Sequence, residues 1–350
     1  MKKYISLFLA AIMMAGSLCS CGSENKGTVA NDDKIRIVTT IFPEYDWVIN
    51  VLGENPADAE VTMLLDNGVD LHSYQPTAED ILKISTCDLF VYVGGESDEW
   101  VGDALEEATN KGMVVVNLLD VLGDSVKEEE VVEGMQEEEH DHDHEEGEDA
   151  GSDEDEHEHE DEHEHEHEEG EVEYDEHVWL SLHNAVTLVQ SISNSVQSID
   201  PDNAETYRNN TSAYIERLNS LDEEYKTAVQ NASFHTLLFG DRFPFRYLVD
   251  DYGLDYYAAF AGCSAETEAS FETITFLGQK VDELGLPAVM TIEGTDHRIA
   301  ETIVQNTQSK DMQILTLDSM QSITLSDVQN GTTYLSVMER NLSTLEDALD

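Results

Sequence analysis

The chain has 350 residues, enough for two domains of ordinary size, and carries 76 Asp or Glu against 17 Lys or Arg, for a formal net charge of −59. A surface this acidic repels nucleic acid and anionic lipid, and it raises the local concentration of cations. The composition therefore excludes a phosphate-rich partner and favours a cationic ligand.

A secretion signal is predicted at the N-terminus. Two lysines precede an apolar run at residues 4–18, which is short for a membrane span. Residues 18–21, Leu-Cys-Ser-Cys, resemble the lipobox of bacterial lipoproteins. That resemblance implies a signal peptide over residues 1–21 whose Cys21 becomes lipidated, followed by a polar tether at residues 22–33. We therefore expect an extracytoplasmic protein anchored by lipid to a bacterial cell membrane.

Strands and helices alternate from Lys34 onward. Apolar and β-branched runs predict strands, and the segments between them carry apolar residues at helical spacing. The predicted strands lie at residues 35–42, 61–65, 89–93 and 113–118. Near-continuous apolar strands separated by helices are typical of a parallel sheet with helices on both faces. We therefore predict an α/β lobe over residues 34–200.

An acidic insertion interrupts this lobe at residues 128–171. Its 44 residues contain 26 Asp or Glu, eight His and no Lys or Arg. The segment therefore has too few apolar groups to offset the entropy of ordering the chain. Imidazole nitrogens suit zinc, copper and nickel, and carboxylates can complete a coordination shell. We predict a disordered loop that collects metal ions through His140, His142, His144, His157, His159, His163, His165 and His167. The alternative is a solvated acidic linker.

A long helix and a second lobe are predicted after this insertion. Asp200-Pro201 supplies an N-cap and a proline at the first helical position, and the helix extends over residues 201–231 as a stiff connector. A second series of strands and helices occupies residues 232–350, with strands predicted at 236–239, 255–260, 288–292 and 314–317. The predicted fold is α/β, with two lobes joined by one long rigid helix and a ligand cleft between them.

Candidate metal ligands follow the predicted strands. Ligands of open parallel sheets bind beyond the carboxyl ends of the strands. His72 follows the second strand, and His177 lies just after the acidic insertion. In the second lobe, Asp241, Glu293 and Asp318 follow three strands. Two imidazoles and up to three carboxylates could meet across one cleft, and that ligand set suits Zn²⁺ or Mn²⁺.

Four motifs follow the lipobox in a specific order, with the acidic insertion between the first two. They are His-Ser-Tyr-Gln-Pro-Thr at 72–77, Asp-Glu-His-Val-Trp-Leu at 175–180, Asp-Tyr-Gly-Leu at 251–254 and Leu-Thr-Leu-Asp at 315–318. Together they resemble the metal-binding receptor, a solute-binding lipoprotein, of a zinc or manganese ABC transporter. The resemblance implies a permease and its ATPase subunit as partners, and metal ligation by His72, His177 and Asp318. A His-rich insertion before the second motif is typical of zinc-specific members.

One position departs from the family pattern. The family has a His or Glu about ten residues before its Tyr-Gly-Leu, where this chain has Arg242. A guanidinium stays protonated and cannot bind a metal ion. Asp241 or Glu293 could supply a replacement oxygen, or water could complete a site of three protein ligands.

The sequence thus predicts a monomeric extracellular receptor that captures Zn²⁺ and delivers it to an ABC permease. The alternatives are a manganese receptor and a surface adhesin stabilised by its metal. The sequence contains no nucleophile elbow, no His-Glu-x-x-His helix and no phosphate loop, so we do not expect an enzyme. Cys87 and Cys263 fall in different predicted lobes, so we expect free thiols that act as small buried apolar residues.

Overall fold

A computed structural model describes residues 34–136, 173–264 and 268–350. The first lobe contains a four-stranded parallel sheet of order β2-β1-β3-β4. Its elements are β1 (Arg36–Thr39), α1 (Phe42–Leu52), β2 (Glu60–Met63), α2 (Ala78–Thr86), β3 (Leu89–Tyr92), α3 (Trp100–Glu106), β4 (Val114–Asn117), α4 (Leu118–Leu122) and α5 (Leu182–Ile199).

The second lobe contains another four-stranded parallel sheet, of order β6-β5-β7-β8. The long helix α6 (Ala204–Asn231) precedes it. The remaining elements are β5 (Thr236–Phe243), α7 (Arg246–Tyr252), β6 (Asp255–Ala261), α8 (Phe271–Leu284), β7 (Ala288–Ile292), α9 (Arg298–Asn306), β8 (Gln313–Leu317), α10 (Leu325–Gln329) and α11 (Tyr334–Leu349). The predicted fold of two α/β lobes joined by a long helix is confirmed.

Strand β5 is longer than the sequence pattern indicates. The apolar run ends at Phe239, but the strand continues to Phe243, with an irregular register between Phe239 and Arg242. Asp241 and Arg242 therefore lie on the strand itself. A register irregularity of this kind re-aims side chains at the end of a strand. The polar residues expected in a loop are thus held by the sheet.

Helix α6 packs against helices of both lobes. The Tyr214 hydroxyl donates to Asp46 Oδ2 of α1 (3.3 Å), and the Tyr225 hydroxyl donates to the Met338 carbonyl of α11 (2.7 Å). Eight α6 side chains are buried in all. The connector predicted from its polar composition is therefore stabilised by packing along its length rather than by helix propensity alone.

The segment 128–136 packs against the second lobe, although the sequence predicts disorder from Glu128. Gln136 N donates to the Ala259 carbonyl of β6 (2.9 Å), and Glu130 pairs with Arg246 (3.1 Å). The Tyr256 hydroxyl also donates to Glu130 Oε2 (3.2 Å), so a hydroxyl group and a cation of the second lobe satisfy a carboxylate that composition alone leaves without partners. The prediction of disorder is wrong for these residues.

Several predicted features lie outside the described residues. They are the remainder of the insertion at 137–171 with its eight histidines, and residues 1–33 with the lipidation site Cys21. In the part of the chain that the structure does describe, no helix combines the length and apolar character needed to cross a membrane.

Asp46 is a buried carboxylate of α1. Burial raises the pKa of Asp46 from 3.8 to about 6, although Tyr214 and Asn50 donate hydrogen bonds to it. The folded protein therefore holds this proton more tightly than the unfolded chain, and the associated stability is lost as pH rises through about 6. As pH rises from about 4 to about 8, the free energy of unfolding of the wild type should therefore fall by about 3 kcal/mol relative to that of Asp46→Asn, which has no carboxylate to ionise.

Urea denaturation across this pH range would measure the effect. Glu54, just beyond the end of α1, is exposed and provides a matched control, because Glu54→Gln should not produce this pH dependence. Parallel pH profiles for the wild type and Asp46→Asn would contradict the expectation.

Candidate metal centre

The two histidines predicted as ligands are presented by similar turns. His72 lies in a short 3-10 helix at Leu71–Ser73, and His177 directly precedes another at Val178–Leu180. In each case the aspartate two residues earlier accepts a hydrogen bond from the backbone N–H of the histidine. Asp70 Oδ1 accepts a hydrogen bond from His72 N (3.0 Å), and Asp175 Oδ1 accepts one from His177 N (2.9 Å). The Asp-x-His spacing therefore fixes the backbone that presents each imidazole.

The Nε2 atoms of His72 and His177 lie 3.1 Å apart. His177 Nδ1 lies 3.1 Å from Asp175 Oδ1, and His72 Nδ1 lies 2.8 Å from Ser97 Oγ and 3.5 Å from Glu176 Oε2. When the Nδ1 atoms donate to Asp175 Oδ1 and Ser97 Oγ, both Nε2 atoms are left with lone pairs that face each other. A tetrahedral zinc ion with Zn–N bonds of about 2.0–2.1 Å holds two nitrogens about 3.3 Å apart. The spacing of the two imidazoles fits a pair of zinc ligands.

The surroundings keep the His72 imidazole in its metal-binding form. Burial lowers the pKa of His72 to about 3, and the neighbouring His177 and Arg242 add to the effect while Asp70 opposes it. The ring is therefore neutral at physiological pH. Burial also raises the pKa of Glu176, whose Oε2 accepts no hydrogen bond from any described residue.

Cys263 lies beside the two imidazoles. Its Sγ and the ligand nitrogens of His72 and His177 lie within 4.8 Å of one another. Glu129 Oε1 accepts a hydrogen bond from Cys263 N (3.0 Å). Burial raises the pKa of the Cys263 thiol, and Glu129 and Asp175 add to the effect. The free thiols of Cys263 and the buried Cys87 agree with the sequence prediction. Cys263 was not identified as a candidate ligand from the sequence. It closely follows strand β6, and the other candidates were chosen because they follow strands in the same way.

Two of the carboxylates predicted from the second lobe are engaged by nearby donors. Asp241 accepts hydrogen bonds from Arg242 N (2.9 Å) and from the Thr295 hydroxyl (2.9 Å). Glu293 accepts hydrogen bonds from Ser319 N (2.7 Å) and from the Ser319 hydroxyl (2.8 Å). Both carboxylates thus stabilise the carboxyl edge of the second sheet, and their role as metal ligands stays a prediction.

Asp318 is the second-lobe ligand that the family resemblance implies. Its Oδ1 accepts a hydrogen bond from Met320 N (2.9 Å), and its Oδ2 lies 3.5 Å from Arg340 Nη2. Burial raises the pKa of both Glu293 and Asp318, and the charge of Asp318 adds to the effect at Glu293. A nearby cation would relieve this repulsion. Within the described residues, however, Asp318 does not belong to the group of three ligand atoms around the histidines. Its role also stays a prediction.

Arg242 forms an ion pair between the lobes. Its Nη2 donates to Asp70 Oδ2 (2.6 Å), and its Nη1 donates to the Ser264 carbonyl (3.4 Å). Although burial opposes it, Arg242 lowers the pKa of Asp70. Since Asp70 also caps the turn of His72, the guanidinium acts on the position of an imidazole rather than as a ligand.

Gly262 lies against the ring of His177. A methyl group at this position would lie 3.1 Å from His177 Cε1 and 2.9 Å from the Phe243 carbonyl oxygen. Because backbone at Phe243 cannot easily move, we expect Gly262→Ala to displace the imidazole from Asp175. Loss of such an orienting partner typically weakens metal binding about 10–100-fold.

Competition with a chromophoric zinc chelator would measure this loss. Gly102→Ala in α3 is a suitable control, because an added methyl group there meets no atom within 4 Å. Equal zinc affinity in the two variants would contradict the placement of Gly262 against the ligand.

Residues 37–348 match the family model described as ZnuA, zinc-uptake complex component A, periplasmic. The chain is 33% identical over 352 residues to the zinc-binding lipoprotein AdcA of Streptococcus pneumoniae (strain ATCC BAA-255 / R6), which covers 100% of the chain. It spans 62% of the length of that relative. It is also 28% identical over 349 residues to the high-affinity zinc uptake system protein ZnuA of Bacillus subtilis (strain 168), covering 99% of the chain and 98% of that protein.

The fold matches a solved structure of the same kind. The crystal structure of the Zn(II)-bound ZnuA-like domain of Streptococcus pneumoniae AdcA superposes with a TM-score of 0.65 at 28% identity. The match covers 91% of this chain and 99% of that domain.

Proposed function

Because the chain belongs to the ZnuA family of zinc-uptake components, we propose that it is an extracytoplasmic receptor that captures Zn²⁺ and delivers it to an ABC permease. The observation that carries this proposal is the 3.1 Å approach of the two Nε2 atoms of His72 and His177. Two neutral imidazoles at this distance repel each other unless a cation or a shared proton lies between them. The arrangement favours binding of a metal ion.

The proposal assigns complementary roles to the two lobes. The first lobe presents both imidazoles on similar turns, and the second lobe closes the site with the segments that carry Arg242 and Gly262. The Trp179 indole N–H donates to the Ser319 carbonyl (2.9 Å), which is a further hydrogen bond between the lobes. Release of the ion to a permease would require these contacts to loosen. Residues Asp318, Glu293 and Asp241 remain the carboxylates proposed to assist from the second lobe.

The parts of the chain outside the described residues would serve the same function. A lipid on Cys21 would hold the receptor at the membrane, beside the permease and its ATPase subunit. The histidines of the insertion would bind Zn²⁺ weakly and raise its concentration near the cleft. The name of the similar AdcA of Streptococcus pneumoniae, a zinc-binding lipoprotein, supports the lipid anchor.

Competition between metals tests the identity of the cargo. Isothermal titration should show one tight site for Zn²⁺ and much weaker binding of Mn²⁺, because two imidazoles favour zinc over a metal that prefers oxygen ligands. Binding of Mn²⁺ as tight as that of Zn²⁺ would instead identify a manganese receptor.

Growth of a deletion strain tests transport. We expect poor growth in zinc-chelated medium, with recovery on added zinc or on expression of the wild-type chain. Unimpaired growth in that medium, in a strain with no other zinc importer, would contradict an uptake role and favour the adhesin alternative.

A further inference from the structure

The second lobe brings one ligand atom of high zinc affinity to the histidine pair. Among the described residues, the Sγ of Cys263 completes the group that includes the ligand nitrogens of His72 and His177, all within 4.8 Å of one another. We propose that Cys263 binds the transported zinc ion as a thiolate and is the second lobe's principal ligand. This inference rests on the proposed function, since the ion concerned is the cargo.

The distances require only a small movement on binding. Zinc bonds of about 2.3 Å to sulfur and about 2.0–2.1 Å to nitrogen place tetrahedral S and N ligands about 3.6 Å apart. The separation in the protein is at most 4.8 Å, so closing the site takes about 1 Å. A displacement of this size lies within the range of a side-chain rotation at the end of a strand. The two imidazoles already have the spacing of zinc ligands, so only the sulfur has to move.

Contacts on both sides hold the Cys263 backbone in place. Glu129 Oε1 accepts the hydrogen bond from Cys263 N (3.0 Å), and the preceding residue, Gly262, lies against the His177 ring. Glu129 belongs to the segment that continues into the insertion, so an element of the first lobe positions a ligand of the second. This support is the kind that orients metal ligands in proteins.

The other second-lobe candidates are less available. Arg242 cannot bind a cation and is paired with Asp70. Asp241 and Glu293 each accept hydrogen bonds through both of their oxygens. The Cys263 sulfur has a hydrogen bond with the backbone of Glu176, which favours the thiolate.

Binding of Zn²⁺ releases one proton from the Cys263 thiol. Zn²⁺ displaces the thiol proton to solvent as the Zn–S bond forms, because a coordinating thiol is deprotonated outright by a bound zinc ion. Two imidazoles, one thiolate and a fourth position left for water or a carboxylate give a tetrahedral site. Thiolate is a soft ligand that favours zinc strongly over manganese. Cys263 therefore determines which metal the receptor carries.

Cobalt substitution tests this assignment directly. Full-length reduced protein loaded with Co²⁺ should show a near-ultraviolet thiolate-to-cobalt charge-transfer band in addition to the visible bands of tetrahedral cobalt. Cys263→Ser should lose the charge-transfer band, whereas Cys87→Ala should keep it, since Cys87 is buried against Met113 and does not belong to the ligand group. Cys263→Ser should also weaken Zn²⁺ binding by more than about 100-fold, the upper end of what loss of an orienting partner alone costs.

A second variant distinguishes a ligand role of Cys263 from a structural role. Cys263→Asp keeps an anionic ligand but replaces sulfur with oxygen, so it should retain metal binding while its preference shifts toward Mn²⁺ by at least about tenfold. A wild type without the charge-transfer band, together with undiminished zinc affinity in Cys263→Ser, would overturn the thiolate assignment and leave the proposed function intact. Failure of the wild-type protein to bind zinc tightly would overturn both.

Discussion

Alanine in place of both His72 and His177 should abolish tight zinc binding. The two Nε2 atoms lie 3.1 Å apart with their Nδ1 atoms directed at oxygen partners, so each substitution removes a preorganised ligand. Loss of an orienting partner alone costs about 10–100-fold in affinity, so loss of a ligand should cost more than about 100-fold for each single variant. The double variant should keep only weak binding.

Competition titrations against a chelator of known affinity would measure these losses. His183→Ala is the matched control, because His183 is half-exposed and lies beside Asp222 and Asp251 rather than at the site. Its zinc affinity should equal that of the wild type. Tight binding that survives in the folded double variant would eliminate the proposed metal centre.

Deletion of residues 137–171 should remove the weak zinc sites and leave the tight site unchanged. This segment contains all eight histidines of the insertion and ends before the described chain resumes at residue 173. Many weak sites arise because each cluster of imidazoles and carboxylates in this segment can bind an ion. The number of zinc equivalents bound in isothermal titration should therefore fall from several to one.

The choice of deletion boundary provides the control. Residues 128–136 pack on the second lobe, and Glu129 accepts the hydrogen bond from Cys263 N. Deleting residues 128–171 should therefore weaken the tight site as well, by about 10–100-fold if Glu129 acts as an orienting partner. Loss of the tight site in the shorter deletion would show that the insertion itself contributes a ligand to it.

Several features of the site followed from the sequence because they depend on local chemistry. The position of His72 after a strand, and the Asp-x-His spacing shared with His177, are visible in a few consecutive residues. The alternation of apolar runs likewise predicted two parallel sheets, since strand and helix periodicities differ. Five short helices (α3, α4, α7, α9 and α10) were not predicted individually, because a segment of about two and a half turns or less shows little periodicity.

Other features depend on contacts between distant residues. The acidic composition predicted disorder for residues 128–136, but hydrogen bonds and an ion pair with the second lobe hold that segment in place. The role of Arg242 as an ion pair with Asp70 joins residues that the fold brings together from different lobes. Composition reports the charges in a segment but not the partners that will neutralise them.

The sequence by itself determined the two α/β lobes and the connecting helix, because short-range periodicity encodes them, and it singled out His72 and His177 as candidate ligands. Only the tertiary structure decided which atom of the second lobe meets those imidazoles. The position of Cys263 just after strand β6 suits a ligand and an ordinary small apolar residue equally well. Its sulfur approaches His72 and His177 only after both lobes have packed. Metal coordination depends on distances of a few ångströms between residues far apart in the chain, and those distances exist only in the folded protein.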